Sequence, residues 1–162
     1  MQEKPVILNN TPLVALWSLD QLSLLRELYT EVWIPLAVKA EFLEINTIVR
    51  QESLDNAPWI KTVRLTHPQR AVYAGLHHGE ASVLALAEEH NARLVIIDEL
   101  KARRYAQQIG LQVTGTIGVL LLAKERGLID AIQPPIKELQ AHGLYLSSAL
   151  IDKALQLAGE TQ

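Results

Sequence analysis

The sequence has no cysteine, and this absence excludes disulfide bonds, thiolate metal sites and cysteine nucleophiles together. It also has no long hydrophobic run, since stretches such as VLLLA at 119–123 are far too short to span a bilayer. The amino-terminal MQEKPVIL lacks the basic start and the extended apolar segment of a signal peptide. We therefore expect a soluble, cytoplasmic protein.

The sequence has no excess of positive charge either. Fifteen lysine and arginine residues stand against eighteen aspartate and glutamate residues, which gives a formal net charge of −3. A nucleic-acid partner would therefore need a local basic patch rather than a global positive field. With 162 residues, of which 49% are hydrophobic and 20% charged, the chain fits one globular domain over residues 1–162.

Several catalytic motifs are missing as well. No glycine-rich phosphate loop follows the first predicted strand, which argues against a P-loop and a dinucleotide-binding fingerprint. The histidines include no pair at i, i+4, so no helical zinc site is predicted. The adjacent His77 and His78 are expected to diverge and not to act as a ligand pair. GTIG at 115–118 lacks the serine of a hydrolase nucleophile elbow.

What the sequence does have is a regular alternation of short apolar strands and helices. The clearest strand is RLVIID at 93–98, and the strongest helix is GEASVLALAEEH at 79–90. The alternation predicts an α/β fold with helices on both faces of a mainly parallel central sheet. Further strands are predicted at 5–8, 31–34, 59–65 (exposed or at an edge) and 111–116. Further helices are predicted at 19–28, 35–45, 99–110, 117–127, 134–143 and 147–159, with a less regular stretch at 46–58.

Polar side chains gather where these predicted strands end, which is where parallel sheets form their sites. Three of them are carboxylates: Glu41 in the helix after the second strand, Glu80 at the start of its helix, and Asp98 after the most buried strand. Short polar residues occupy two further strand ends: Asn9, Asn10 and Thr11 follow the first strand, and Thr114 and Thr116 flank a glycine after the last.

Each of these residues has two interpretations. Clustered carboxylates repel one another unless a cation neutralises them, and oxygen ligands suit Mg²⁺ or Mn²⁺, whose waters can attack a phosphodiester. Alternatively, Glu80 only complements a helix dipole, Asp98 only caps the following helix, and Glu41 is a solvated surface residue. The asparagines would then be ordinary turn residues. Only the convergence at strand ends favours a metal site.

Taken in order, these blocks resemble a known family. NNTPL after the first strand, IPLAVKAEF, GEASVLALA and LVIIDELKARRYAQQIGLQVTGTIGVLLLAKERGLI are similar to a PIN-domain protein, and most of all to the VapC-like branch. The similarity extends from residue 6 to about 159. It implies an α/β/α sandwich and a ribonuclease dependent on Mg²⁺ or Mn²⁺. In many relatives such a ribonuclease is the toxin of a toxin–antitoxin pair.

The resemblance also implies roles for single residues. It makes Glu41, Glu80 and Asp98 catalytic metal ligands and places Asn9 at the first ligand position, where the common PIN pattern has aspartate. An amide oxygen can still bind Mg²⁺ but brings no charge, so we expect weaker metal binding and occupancy by a single ion. Thr11 matches a hydroxyl position near the metal, and supporting polar roles fall to Asn10, Thr114 and Thr116.

Three basic residues, Lys101, Arg103 and Arg104, follow Asp98 on the next helix. They are candidates for contacts with RNA phosphates. The alternative is a solvated helix face, or ion pairs with Glu80, Glu88 or Glu99, of which Glu99 and Arg103 have i, i+4 spacing.

Two rival functions remain open. One is a non-catalytic module whose acidic pocket binds a basic antitoxin peptide through an arginine. The other is a phosphatase or phospho-acceptor using Asp98, which would need an acid cluster that LNN at 8–10 does not supply. A homodimer is also possible, because Trp33, Trp59 and Tyr145 belong either to a dimer surface or to the core.

Overall fold

The structure is a computed structural model that describes residues 4–160, and its centre is a sheet of five parallel strands. The strands are Val6–Leu8 (β1), Val32–Pro35 (β2), Ile60–Val63 (β3), Leu94–Ile96 (β4) and Val113–Thr114 (β5). Their order in the sheet is β3–β2–β1–β4–β5, and every neighbouring pair is parallel. The strand at 59–65 was predicted as an edge strand, and β3 is indeed at an edge.

Helices flank this sheet and complete the predicted α/β architecture. α3 packs against α1 and α5, while α7 packs against α2 and α9. Within residues 4–160, no helix is long and apolar enough to cross a membrane. The nine α-helices of this part of the chain are Asn10–Ser18 (α1), Ser23–Tyr29 (α2), Leu36–Phe42 (α3), Thr47–Asp55 (α4), His78–His90 (α5), Leu100–Gln108 (α6), Thr116–Glu125 (α7), Gln133–Ala141 (α8) and Ser148–Leu157 (α9).

The core explains why the strands are continuous apolar runs and do not alternate. All three residues of β1 are buried, and so are Val95 and Ile96 of β4, because helices cover the sheet. Trp33 and Trp59 were expected to belong either to the core or to a dimer surface. Both are half-buried and pack against this core. Tyr145 is 86% exposed.

Some element boundaries differ from the prediction for local reasons. The helix expected at 19–28 begins only at Ser23, because Asp20 adopts a left-handed conformation with φ 55° and turns the chain. The strand expected at 111–116 shrinks to two residues, because the N–H of Leu111 bonds to the carbonyl of Ala106 at the end of α6 and Gly115 is already the N-cap of α7. The irregular stretch at 46–58 contains the helix α4.

The carboxylate of Glu160 fixes the last described part of the chain to the fold. It accepts hydrogen bonds from the backbone N–H of Ile132 at 2.8 Å and of Gln133 at 3.1 Å, and from Lys124 Nζ at 3.0 Å. Burial opposes ionisation of Glu160, but these hydrogen bonds outweigh it and lower its pKa. The start of α8 is thereby tied to α7 and to the end of α9.

Candidate functional site

The site begins where the strand order reverses. From β1 the chain builds outward through β2 and β3, and then crosses to β4 on the other side of β1. Leu8 and Ile96 are partners across β1 and β4, and the N–H of Asn9 donates to the carbonyl of Ile96 at 2.9 Å. Asn9 and the residues after Ile96 therefore leave the sheet side by side, at the switch point where parallel sheets form ligand crevices.

Asn9 is buried at this point, with 4% of its surface exposed. It is the N-cap residue of α1, yet its side chain makes no capping hydrogen bond. Its Oδ1 atom is shut off from solvent and has no hydrogen-bond partner. A buried amide oxygen without a donor costs free energy, about 1–3 kcal/mol, so this oxygen is available for a ligand.

Asp98 is held by the first residue of α7. Its Oδ1 accepts from the backbone N–H of Thr116 at 2.7 Å, and its Oδ2 accepts from Thr116 Oγ1 at 2.6 Å. The alternative in which Asp98 caps the following helix is wrong. Glu99 is the N-cap of α6, and its carboxylate accepts from the backbone N–H groups of Lys101 and Ala102. Asp98 therefore stays at the carboxyl end of β4, where Thr116 orients its carboxylate.

A glycine allows this arrangement. A Cβ atom built on Gly115 would lie 2.4 Å from Asp98 Oδ1 and 2.7 Å from Arg103 Nη1. The bare backbone between β5 and α7 therefore lets the carboxylate approach the helix N-terminus, where the helix dipole stabilises negative charge.

A second cluster forms where α3 meets the beginning of α5. His77, the N-cap of α5, lies between two carboxylates that were predicted as ligands. Its Nε2 is 3.5 Å from Glu41 Oε2, and its Nδ1 is 3.4 Å from Glu80 Oε1. His77 was expected to diverge from His78 and not to form a ligand pair with it. The i, i+3 spacing to Glu80 could have indicated the contact, but the approach of Glu41 from α3 is a tertiary feature.

Gly79 is the reason α3 can come so close. A Cβ atom on Gly79 would lie 1.7 Å from Glu41 Oε1 and 3.2 Å from His77 Cε1. Any side chain here would occupy the space that the Glu41 carboxylate now fills. The pairing of Gly79 with Glu80 in the sequence thus has a physical reason.

The surroundings of Glu41 and Glu80 disfavour the ionised form of both carboxylates. Burial is the main cause of a raised pKa at Glu41, with His77 opposing it. The pKa of Glu80 is also raised, first by burial and further by the charges of Glu99 and Glu41, while His77 again opposes. Glu41 Oε1 and Glu80 Oε2 are shut off from solvent without a partner. A cation beside them would relieve both the burial penalty and the repulsion.

The other predicted site residues are spread more widely. Thr116 contacts Asp98, as above, whereas the Thr114 hydroxyl faces Gly118, with 2.0 Å to a Cβ atom built there. Thr11 is exposed, and with Asn10 it lines a separate cleft of about 420 Å³ beside Arg50. Across residues 4–160, no three histidine, aspartate or glutamate side chains stand together so that they could hold a metal ion.

The basic residues after Asp98 form no ion pair with Glu80, Glu88 or Glu99 in this part of the chain. Arg103 is half-buried and donates to the carbonyl of Ile97 at 3.2 Å. The ammonium of Lys101 lies over Gly75, while Arg104 is exposed. Arg103 Nη1 and Asp98 Oδ1 both lie within 3 Å of the position that a Cβ atom would take on Gly115.

A cleft of about 820 Å³ opens beside Glu41 and His77. Apolar residues of α3 form much of its wall, and its charged and polar side chains are those of Glu41, Glu44, Arg64, His77, His78 and Ser82. It reaches Glu41 but neither Asn9 nor Asp98.

Comparison with known proteins gives a family match over nearly the whole chain. The family model DUF3368, described as a PIN domain, matches residues 5–160. None of the curated proteins compared with the chain matches it. The matched range contains every candidate residue discussed above.

Proposed function

The chain belongs to the PIN-domain family, and from this premise we propose that it is a metal-dependent endoribonuclease of the VapC-like kind. Membership of the family supports a nuclease-like, nucleic-acid-binding function in general. The choice of RNA as substrate, of Mg²⁺ or Mn²⁺ as cofactor, and of the toxin role in a toxin–antitoxin pair are parts of the proposal.

The observation that carries the proposal is that three of the four proposed ligands have a side-chain oxygen atom without a partner. Asn9 Oδ1, Glu41 Oε1 and Glu80 Oε2 are all buried acceptors that receive no hydrogen bond. Proteins pair more than nine-tenths of their buried polar groups, so three unpaired acceptors on candidate ligand residues need an explanation. An all-oxygen set with carboxylates fits a hard divalent cation such as Mg²⁺ or Mn²⁺.

The side chains do not yet form a ready metal cluster. A cation would have to draw Glu41 and Glu80 together and toward Asp98. Burial is the main cause of the raised pKa values of Glu41 and Glu80, and a bound cation would offset that penalty. Asp98 is the preoriented member, since Thr116 already fixes both of its oxygens.

In this proposal each residue has a defined task. Glu41, Glu80 and Asp98 hold the metal by charge, and Asn9 adds a neutral oxygen. A bound Mg²⁺ or Mn²⁺ would activate water and stabilise the leaving oxygen of the phosphodiester. Thr116 keeps Asp98 turned toward the reacting groups, and Arg103 lies on the same side for a phosphate beside the scissile bond.

The decisive experiment is RNA cleavage by the purified chain with Mg²⁺, with Mn²⁺ and with a chelator. We expect cleavage of single-stranded RNA only with metal, and at least a hundredfold loss in Asp98→Asn. Asparagine can accept from the Thr116 N–H and donate to its hydroxyl, so this variant should keep the fold. Asp130→Asn, at an exposed aspartate in the loop after α7, is the matched control and should cleave normally. Cleavage that survives the chelator or Asp98→Asn would contradict the proposal.

A second candidate function is a non-catalytic module that binds a small antitoxin-like protein. The substitution of Asn9 for an acid favours it, because the site then has one negative charge fewer for a metal. Clean protein that never cleaves RNA with either ion, yet binds a basic partner peptide through Glu41 and Glu80, would support this candidate. A homodimer remains a further prediction, and the exposed Tyr145 is a position at which to test it.

A further inference from the structure

Arg50 is a buried cation that no carboxylate neutralises within residues 4–160. Only 7% of its surface is exposed, and none of the ion pairs in this part of the chain includes it. Arginine is almost never buried to this extent without a partner of opposite charge. We propose that the cleft beside Arg50 binds the phosphate group of a nucleotide. The site is separate from the candidate metal ligands, and only the assignment of its phosphate to RNA rests on the proposed function.

The helix that carries this residue exposes apolar side chains and buries a charged one. Ile48 and Val49 of α4 are 84% and 56% exposed, whereas Arg50 is the residue of this helix that is buried. A surface helix normally turns its apolar residues toward the core and leaves arginine in solvent. Packing alone therefore does not explain an arginine at this position.

The present contacts of Arg50 hold its guanidinium in place but do not supply a negative charge. The group lies 4.5 Å from the centre of the Trp17 ring and 4.9 Å from that of Phe42. Its only hydrogen bond within residues 4–160 runs from Nη1 to the carbonyl of Phe42, at the end of α3, at 2.9 Å. Aromatic faces and a helix C-terminus both attract a cation. Nε still has neither a partner nor access to solvent, and a guanidinium has five N–H donors to satisfy.

Arg50 lines a cleft of about 420 Å³ between α1, α4 and the end of α8. Asn10 and Thr11 at the start of α1 and His142 at the end of α8 are polar residues on its wall. No aspartate or glutamate of residues 4–160 lines it, although the chain as a whole has a net charge of −3. Such a cleft favours an anion. Much of the remaining wall is apolar and consists of Val14, Ala15, Leu139 and Leu144.

The lining favours a phosphate over a carboxylate. The planar guanidinium suits both anions, but a terminal phosphate offers a third acceptor oxygen, and the Thr11 hydroxyl and the His142 imidazole can donate hydrogen bonds to it. The apolar wall can then accommodate the sugar or base that the phosphate carries. The cleft also begins directly after Asn9, so an RNA chain bound at the candidate metal site has phosphates on this side. Because the cleft is already open beside Arg50, this contact needs no rearrangement of the helices.

The test follows phosphate binding by NMR of the full chain in the presence of a chelator, so that no metal contributes. The signals are the Nε–H of Arg50 and the backbone amide of Gly143, which also lines the cleft. Inorganic phosphate, a nucleoside monophosphate, a short single-stranded RNA and acetate are titrated separately. The two phosphate sources, free nucleotide and RNA, are thereby distinguished from each other and from a carboxylate.

Three variants complete the design. Arg50→Lys keeps the charge but removes the planar fork, and His142→Glu adds a negative charge at an exposed position of the cleft, where the fold tolerates it. Arg26→Lys is the matched control, because Arg26 also lies over a tryptophan ring, at 4.7 Å, but is exposed and paired with Glu27 at 3.1 Å. Thermal melts report whether each variant folds, and His142→Glu keeps the test informative if Arg50→Lys does not.

We expect inorganic phosphate, the nucleotide and RNA to shift both signals, and acetate to bind about tenfold more weakly than phosphate. Phosphate affinity should fall about tenfold in Arg50→Lys and in His142→Glu and stay unchanged in Arg26→Lys. Shifts with phosphate and nucleotide but not with RNA would support the site and assign it to a free nucleotide.

Three results would overturn the inference: signals that respond to none of the phosphates, acetate that binds as tightly as phosphate, or a phosphate affinity that His142→Glu leaves unchanged. Metal-dependent RNA cleavage by the same protein would still support the proposed function. Conversely, phosphate binding by a protein that never cleaves RNA would retain the site and reject the nuclease proposal.

Discussion

Gly79→Ala changes the contact between α3 and α5 by one methyl group. The new Cβ would lie 1.7 Å from Glu41 Oε1, whereas ordinary contacts begin at 3.4 Å. The Glu41 carboxylate must therefore retreat by about 1.7 Å, which its flexible side chain allows. Gly79 lies in the first turn of α5, where alanine is still the better helix former, by less than the roughly 1 kcal/mol that applies in a helix interior. We expect the variant to be as stable as the native chain or slightly more so.

The same retreat should weaken the metal site. Displacing or disordering one carboxylate of a metal site costs on the order of 10–100-fold in affinity. At the lower limit this is about 1.4 kcal/mol of metal-binding free energy. Gly79→Ala should therefore leave the unfolding free energy unchanged or raise it, and it should lower the Mn²⁺ affinity at least tenfold.

Urea unfolding of the metal-free chain and calorimetric Mn²⁺ titration measure these two quantities. The matched rescue is the double variant Gly79→Ala with Glu41→Asp, because aspartate is one methylene shorter and withdraws the carboxylate from the added methyl. A double-mutant cycle should show coupling, with part of the affinity restored. Equal Mn²⁺ affinities of the native chain and Gly79→Ala would refute the reasoning, as would a loss of several kcal/mol in stability.

Three further variants test how buried charge affects metal affinity and the stability of the chain. Asn9→Asp should raise Mn²⁺ affinity about tenfold in calorimetry while lowering the stability of the metal-free chain at neutral pH, since it buries a charge; equal affinities would count against the charge argument. Glu80→Gln should abolish metal binding yet stabilise the metal-free chain by about 0.5–2 kcal/mol at pH 7.5. Burial raises the pKa of Glu80 in the folded state, so the destabilisation caused by its charge is absent at low pH and develops as pH rises above about 4.5. A difference in stability between the native chain and Glu80→Gln that does not change with pH would contradict this prediction. Glu160→Gln should destabilise the chain by about 1–3 kcal/mol in urea at pH 7, and because the pKa of Glu160 is lowered, this contribution should vanish as pH falls below that pKa.

The strand-end residues were accessible to sequence reasoning because the fold is built from continuous apolar strands. The buried apolar strand before Asp98 can be recognised from the sequence alone, and a parallel sheet brings the ends of its strands to one side. The prediction of the α/β fold and of the PIN family was confirmed on this basis. The roles of Asn9, Glu41, Glu80 and Asp98 as ligands stay predictions.

The contacts that shape the site could not be predicted in this way. Thr116 was named as a supporting residue, but its two hydrogen bonds to Asp98 depend on the pairing of β4 with β5. The contact of His77 with Glu41 depends on how closely α3 approaches α5, which the glycine at position 79 permits. Glu99 and Asp98 compete for the same capping role by composition, and only the backbone geometry decides in favour of Glu99.

The strand reversal beside β1 divides the candidate site into parts of different local stability. Asn9 and Asp98 leave the central strand and its neighbour, whose amides are protected by hydrogen bonds on both sides. Glu41, His77 and Glu80 depend instead on the last turn of one helix and the first turn of another, where helices fray most easily. The helix ends that carry Glu41, His77 and Glu80 can therefore unfold locally while the sheet stays folded. An ion that joins the two parts would extend the slow hydrogen exchange of the sheet into the beginning of α5.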